Sequence, residues 1–168
     1  MQNSNRLRFE ILDESNQNWI YDLYHRPENI EFLEGINAKQ DIQLSIQCSA
    51  AYNIGAYLIF ENDSDLFVGV GGIQKQEPMN DGSFAMKDYD IEFIIVINPE
   101  FKGKGYASEF CDSFFNKLFF QHPQIKVPAR VSPKNHSCIK LLKKFGFIEV
   151  GEVPYHKASN KFSLLIKK

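Results

Sequence analysis

The stretch Ile97 to Ala107, INPEFKGKGYA, sets two glycines and two lysines between the apolar run IEFIIVI and a segment with helical spacing. A strand that feeds a glycine turn and then opens a helix gathers free backbone N–H groups and the positive end of a helix dipole in one place, which is the chemistry of a phosphate cradle. Gly103 and Gly105 let the backbone approach a ligand closely, Lys102 and Lys104 add charge, and Pro99 helps to end the strand because it cannot donate to a sheet. A P-loop would need Lys and then Ser or Thr after its last glycine, but Gly105 is followed by Tyr106. A dinucleotide fingerprint would need a third glycine where Ser108 stands.

The run Lys102-Gly103-Lys104-Gly105-Tyr106-Ala107 resembles the Gln/Arg-Gly-x-Gly-x-Gly/Ala pyrophosphate loop of the GNAT superfamily of acyl-CoA N-acyltransferases, with lysine in the first position. A second stretch, NHSCIKLLKKFGF, is similar to a later helix of that family and matches it at Asn135, Lys144, Gly146 and Phe147; Cys138 stands where Ser or Ala is usual. The segments NRLRFEIL and NIEFLEG look like the branch that contains ribosomal-protein N-terminal acetyltransferases.

The resemblance implies an α/β (α+β) fold: a mixed, mostly antiparallel sheet with helices on both faces and a splayed strand pair that forms the cofactor cleft. It implies acetyl-CoA as co-substrate, its pantetheine amides paired to backbone near Val96 and Ile97, its pyrophosphate on Lys102, Gly103, Lys104, Gly105, Tyr106 and Ala107, and Asn135 on the pantetheine side. Asn135 reads equally well as the N-cap of the helix that follows it. The implied reaction is acetyl transfer to a primary amine: a peptide N-terminus, a polyamine or another small cationic amine. A homodimer is a further expectation. The alternative is a catalytically silent acyl-CoA-binding regulatory protein, suggested by two departures from the family pattern, Lys102 and Leu142.

An amine must be neutral to attack a thioester. For a lysine-like amine, freeing the base at pH 7 costs about 4.6 kcal/mol, whereas for an α-amino group it costs about 1 kcal/mol. Glu92 is the candidate base: it lies on the strand before the turn, between Ile91 and Phe93, and matches the family's strand glutamate. Its other reading is a carboxylate on a solvated face or in a salt bridge, and Asp90, one alternation away, shares the face. Leu142 occupies the position where many relatives carry a tyrosine that protonates the departing thiolate; Tyr155 and Tyr106 are the substitutes. The four histidines are scattered, and Cys138 on an amphipathic helix reads as a small core residue.

These groups must be positioned by a definite series of elements. Leu7, Phe9 and Ile11 alternate as a first strand; DESNQNWIYDLY offers Ser15 or Asn16 as the cap of a helix; RPENIEFLEG opens on Pro27 and closes on Gly35; DIQLSIQCSAAYN is a further helix. AYLIFE and LFVGVGGIQ flank the turn NDSD, and the glycines of the second predict a bulge or a close backbone approach. Tyr89 to Ile97 is too continuously apolar for a one-sided strand and predicts one covered on both faces. The apolar spacing from Ala107 to Phe119 predicts an amphipathic helix, followed by strand IKVPARVS, helix NHSCIKLLKKFGF and strands FIEVGEV and KFSLLIKK. Trp19, Tyr24 and Phe32 fall in the early helices, where the family builds its acceptor pocket.

At 168 residues, 43% hydrophobic and 24% charged, the chain predicts one domain, 1–168. No run approaches a membrane span and the N-terminus lacks the apolar core of a signal peptide, so a cytoplasmic location is expected. Cys48, Cys111 and Cys138 form neither a disulfide framework nor a metal-ligand pattern, and no metal is expected. A net charge of −2 gives no footprint for nucleic acid. Yet residues 1–100 carry 6 Lys/Arg against 17 Asp/Glu, and residues 101–168 carry 13 against 4; either each part solvates its own surface, the commoner case for charge blocks, or the second part holds an anion and the first a cation.

Overall fold

The computed structural model describes residues 4–33, 37–76, 89–154 and 161–167, with residues 152–154 and 161–167 described as backbone. The elements run β1 (Leu7–Ile11), α1 (Asn18–Tyr24), α2 (Pro27–Ile30), α3 (Ala38–Tyr52), β2 (Ala56–Glu61), β3 (Phe67–Lys75), β4 (Ile91–Ile97), α4 (Tyr106–Gln121), β5 (Val127–Val131), α5 (His136–Lys144), β6 (Phe147–Pro154) and β7 (Lys161–Lys167). This is the order expected from the sequence. Among the described residues the strands form two antiparallel sheets, β1-β2-β3-β4 and β5-β7-β6. No ladder joins β4 to β5, although the two strands are close enough for Arg130 on β5 to meet Glu92 on β4. This gap is the expected splay.

Strand alternation sends side chains into two cores. Along β2, Tyr57 and Ile59 join Phe93, Phe110, Phe114 and Phe115 on the α4 side, whereas Ala56, Leu58 and Phe60 join Ile20, Leu23 and Ile42 on the α1 and α3 side. Helices therefore cover both faces of the larger sheet. β4 contributes Ile91 and Phe93 to the first core and Val96 to the second, as a doubly covered strand should.

The β2–β3 register shifts between Ile59 and Phe60, and a Cβ on Gly71 would lie 2.5 Å from the Phe110 ring. The expected bulge and the expected close approach are both present, and Gly71 is what lets α4 seat its aromatic face on β3. One local expectation fails. Neither Ser15 nor Asn16 caps α1: Asp13 accepts from the Ser15 amide and hydroxyl at 2.8 and 2.6 Å, Asn16 accepts from the Asp13 amide at 3.0 Å, and the cap position falls on Gln17. These short polar side chains bond one another in the preceding turn and are not available to the helix.

Candidate active site

The strand β4 ends at Asn98, a short 3-10 turn covers Pro99–Phe101, and the chain reaches α4 through Lys102 to Gly105. Gly103 and Gly105 take φ of +78° and +84°, a left-handed conformation that costs other residues about 1 kcal/mol or more. A Cβ at Gly103 would meet nothing within 4 Å, so the turn faces open space. The first backbone bond of α4 is Glu109 N–H to Gly105 C=O at 3.1 Å, and the N–H groups of Gly103 through Ser108 find no acceptor among the described residues. A row of unbonded donors at a helix N-terminus fits a diphosphate.

The side chains around the turn are arranged differently from the simplest expectation. Lys102 turns away from it: its Nζ donates to Asn29 Oδ1 at 2.9 Å and to Glu28 C=O at 3.3 Å, both on α2. Burial holds this lysine below its ordinary value, with Glu28 opposing. Lys102 thus offers the turn its backbone, and its ammonium braces α2. Lys104 is exposed and Lys144 donates to Ser108 on the first turn of α4. Tyr106 is buried and its hydroxyl donates to Glu61 on β2; that bond raises it above the usual tyrosine value. Asn135 caps α5, accepting from Cys138 N–H at 3.1 Å.

Val96 and Ile97 lie at the C-terminal end of β4, on the strand whose far edge faces the gap. Glu92 lies about 13 Å from Val96 and about 17 Å from Ile97 toward the strand's start, at a rise of about 3.3 Å per residue. It is 3% exposed. Arg130 grips both of its oxygens, Nε to Oε2 at 2.6 Å and NH2 to Oε1 at 2.5 Å, and Gln74 Nε2 donates to Oε1 at 3.1 Å. Gln74 in turn approaches Asp41 and Ser45 of α3 at 3.5 and 3.4 Å, and Asp41 faces the Tyr24 hydroxyl at 3.4 Å. Of the two readings of Glu92, the salt bridge is what the geometry holds, and it spans the gap between the sheets. Accepting a proton would break a charge-assisted fork. Asp90 is exposed and pairs with Tyr52, so it does not share the buried face.

Leu142 is buried in the core, leaving that position without an acid; Tyr155 and Gly35 lie outside the described residues. Cys138 is half-buried and packs against the core on the α4 side, where burial pushes its thiol up to about 12, as suits the packing residue expected from the sequence. Sequence reading missed Arg130, Gln74 and Arg6. For Arg130 the signal was present: a lone cation inside one apolar strand matches a lone anion inside another.

A family model for the acetyltransferase (GNAT) domain matches residues 6–148, and the chain belongs to that family. It is an acetyl-CoA-dependent N-acetyltransferase by that membership. No curated protein matches it closely enough to be compared. Among solved structures, a protein of Bordetella pertussis assigned to the GnaT-family acetyltransferases superposes with a TM-score of 0.82 at 17% identity, over 99% of this chain and 98% of its own. Spermidine N-acetyltransferase from Vibrio cholerae, in complex with CoA and spermine, gives 0.68 at 15% over 97% and 95%. RimL, a ribosomal-protein α-N-acetyltransferase, gives 0.70 at 14% over 98% and 91%. At such identities these likenesses are of fold. Among the described residues no helix is long and apolar enough to cross a membrane.

Proposed function

We propose that this chain transfers acetyl from acetyl-CoA directly to a primary amine held in the gap between β4 and β5, the amine being a peptide N-terminus, a polyamine or another small cationic amine. The observation that carries the reading is the run of unbonded N–H groups from Gly103 to Ser108 at the end of a strand whose other edge lacks a ladder. Acetyl-CoA supplies the activated acyl group as a thioester. The backbone of residues 102–107 holds its pyrophosphate, the β4 edge at Val96 and Ile97 orients the arm that leads to the thioester, and Asn135 fixes the start of α5 beside it.

Glu92 is the carboxylate at the acceptor end. Held by Arg130 and Gln74, it polarises and orients the amine more readily than it removes a proton from it. This geometry favours an α-amino acceptor, which needs only about 1 kcal/mol to reach its neutral form at pH 7, over an alkylamine that needs about 4.6 kcal/mol. The thiolate leaving group, with an acid pKa near 8.5, departs without a dedicated protein acid or with Tyr155 supplying one. RimL and the spermidine enzyme act on these two acceptor types respectively, which supports the class without choosing within it.

The test is calorimetric titration of acetyl-CoA into wild type and Gly105→Glu, followed by turnover with a tetrapeptide and with spermidine. Micromolar binding abolished by Gly105→Glu, with turnover of either amine, is the expected result. No binding to wild type, or unchanged binding to the variant, would overturn the reading of the turn. Faster turnover of spermidine than of the peptide would reverse the preference for α-amino groups.

A further inference from the structure

The start of β1 lies against the pyrophosphate turn across nearly a hundred residues of sequence. Arg6 uses every edge of its guanidinium there. Its Nε donates to Glu109 Oε2 at 2.7 Å, its NH2 meets the same oxygen at 2.5 Å, and its NH1 donates to the Lys104 carbonyl at 3.3 Å. The plane lies over the Tyr106 ring at 4.6 Å, and NH2 is 3.7 Å from where a Cβ on Gly105 would stand. Glu109 is completed from the same segment: its Oε1 accepts from Ser4 Oγ at 2.5 Å and from the Arg6 amide at 3.2 Å.

Glu109 is an acidic residue in the first turn of α4. A carboxylate there ordinarily serves as the counter-charge of the helix dipole, and so competes with and repels an incoming phosphate. In this chain the carboxylate is turned aside and neutralised. Its burial would raise it, but the bonds from Ser4 and Arg6 outweigh that and hold it below the usual carboxylate range. The helix dipole, the free N–H groups, Lys104 and Lys144 are then left to act on the ligand.

We propose that Arg6 is a cofactor-positioning residue: by neutralising Glu109 and bracing the Lys104 carbonyl, it keeps the turn open and positive for the pyrophosphate of acetyl-CoA. The proposal rests on the reading of residues 102–107 as the cofactor site, and it gives a role to the NRLRFEIL start.

Charge compensation is separable from a mere clasp between β1 and α4. A clasp is lost equally from either end, whereas compensation matters only while Glu109 is charged. The dissociation constant of acetyl-CoA is measured by calorimetry for wild type, Arg6→Met, Arg6→Gln, Glu109→Gln and Arg6→Met/Glu109→Gln, with thermal melts alongside. Arg6→Met and Arg6→Gln are each expected to weaken binding about tenfold, a magnitude within the range for a charge at a helix terminus. Glu109→Gln should leave affinity within about twofold of wild type despite a lower melting temperature, and the double variant should return to within about threefold of it. Equal weakening in Arg6→Met, Glu109→Gln and the double variant overturns the proposal, as does wild-type affinity in both Arg6 variants. If Arg6→Met does not fold, Arg6→Gln, which keeps donors without charge, is compared with an Arg6→Gln/Glu109→Gln double. Wild-type protein that binds no acetyl-CoA would instead refute the cofactor site itself, whatever the variants do.

Discussion

Glu92 and Arg130 show how far a single residue's type can be read and where that reading stops. A glutamate inside IEFIIVI is visibly out of place in an apolar strand, so its importance is legible; its partner, 38 residues on, is not, because pairing is a tertiary fact. Arg130 is 10% and Glu92 4% exposed at the side chain. Removing one member of such a pair leaves the other charged in a low-dielectric site, so Arg130→Met is expected to destabilise the protein by about 3–5 kcal/mol. Replacing both, with Glu92→Gln added, should recover more than half of that loss in urea denaturation. A loss below about 1 kcal/mol for Arg130→Met would mean the pair behaves as a solvated surface bridge. The glycines of the turn were legible for the opposite reason: their role is local and needs no partner.

Elements were easier to read than their couplings. Local pattern yields the order of strands and helices, because apolar runs such as that of β2, the turn residues between them and the three-to-four spacing of Phe110, Cys111, Phe114, Phe115 and Leu118 are set by the two cores they enter. The cap of α1 departs from the expected Ser15 or Asn16 because Asp13, Ser15 and Asn16 have partners of their own in the turn before it. The hold of Lys102 on α2 was not legible at all. That hold joins the cofactor turn to a helix expected to border the acceptor, with Arg26 and Glu100 adding a looser pair at 3.6 Å between the same two regions. Lys102→Met should therefore raise the KM for a tetrapeptide acceptor about three- to tenfold, as the loss of a charged hydrogen bond allows, while the acetyl-CoA dissociation constant stays within about twofold. The converse, weaker acetyl-CoA binding with an unchanged acceptor KM, would return the ammonium to the pyrophosphate.

For the molecule as a whole, the division of charge along the sequence becomes a division in space only in part. The basic second part does bring Lys104 and Lys144 to the glycine turn and the first turn of α4. On the other side of the sheet, Asp41 and Glu92 lie with Gln74 in a buried polar group between α3 and β4 that Arg130 enters from β5. With the acceptor placed beside Glu92, as proposed above, an incoming ammonium meets the field of these carboxylates before it loses its proton. Because the attraction acts through solvent during approach, it is screened over about 10 Å at 0.1 M salt. For spermidine and for a lysine-rich tetrapeptide, kcat/KM should fall severalfold between 50 and 300 mM salt. For a tetrapeptide whose acidic residues cancel its charge, it should change by less than about twofold. Rates that ignore salt for every cationic acceptor would mean that the field does not reach the bound amine, and that acceptor choice is made by contact with α1 and α2 alone.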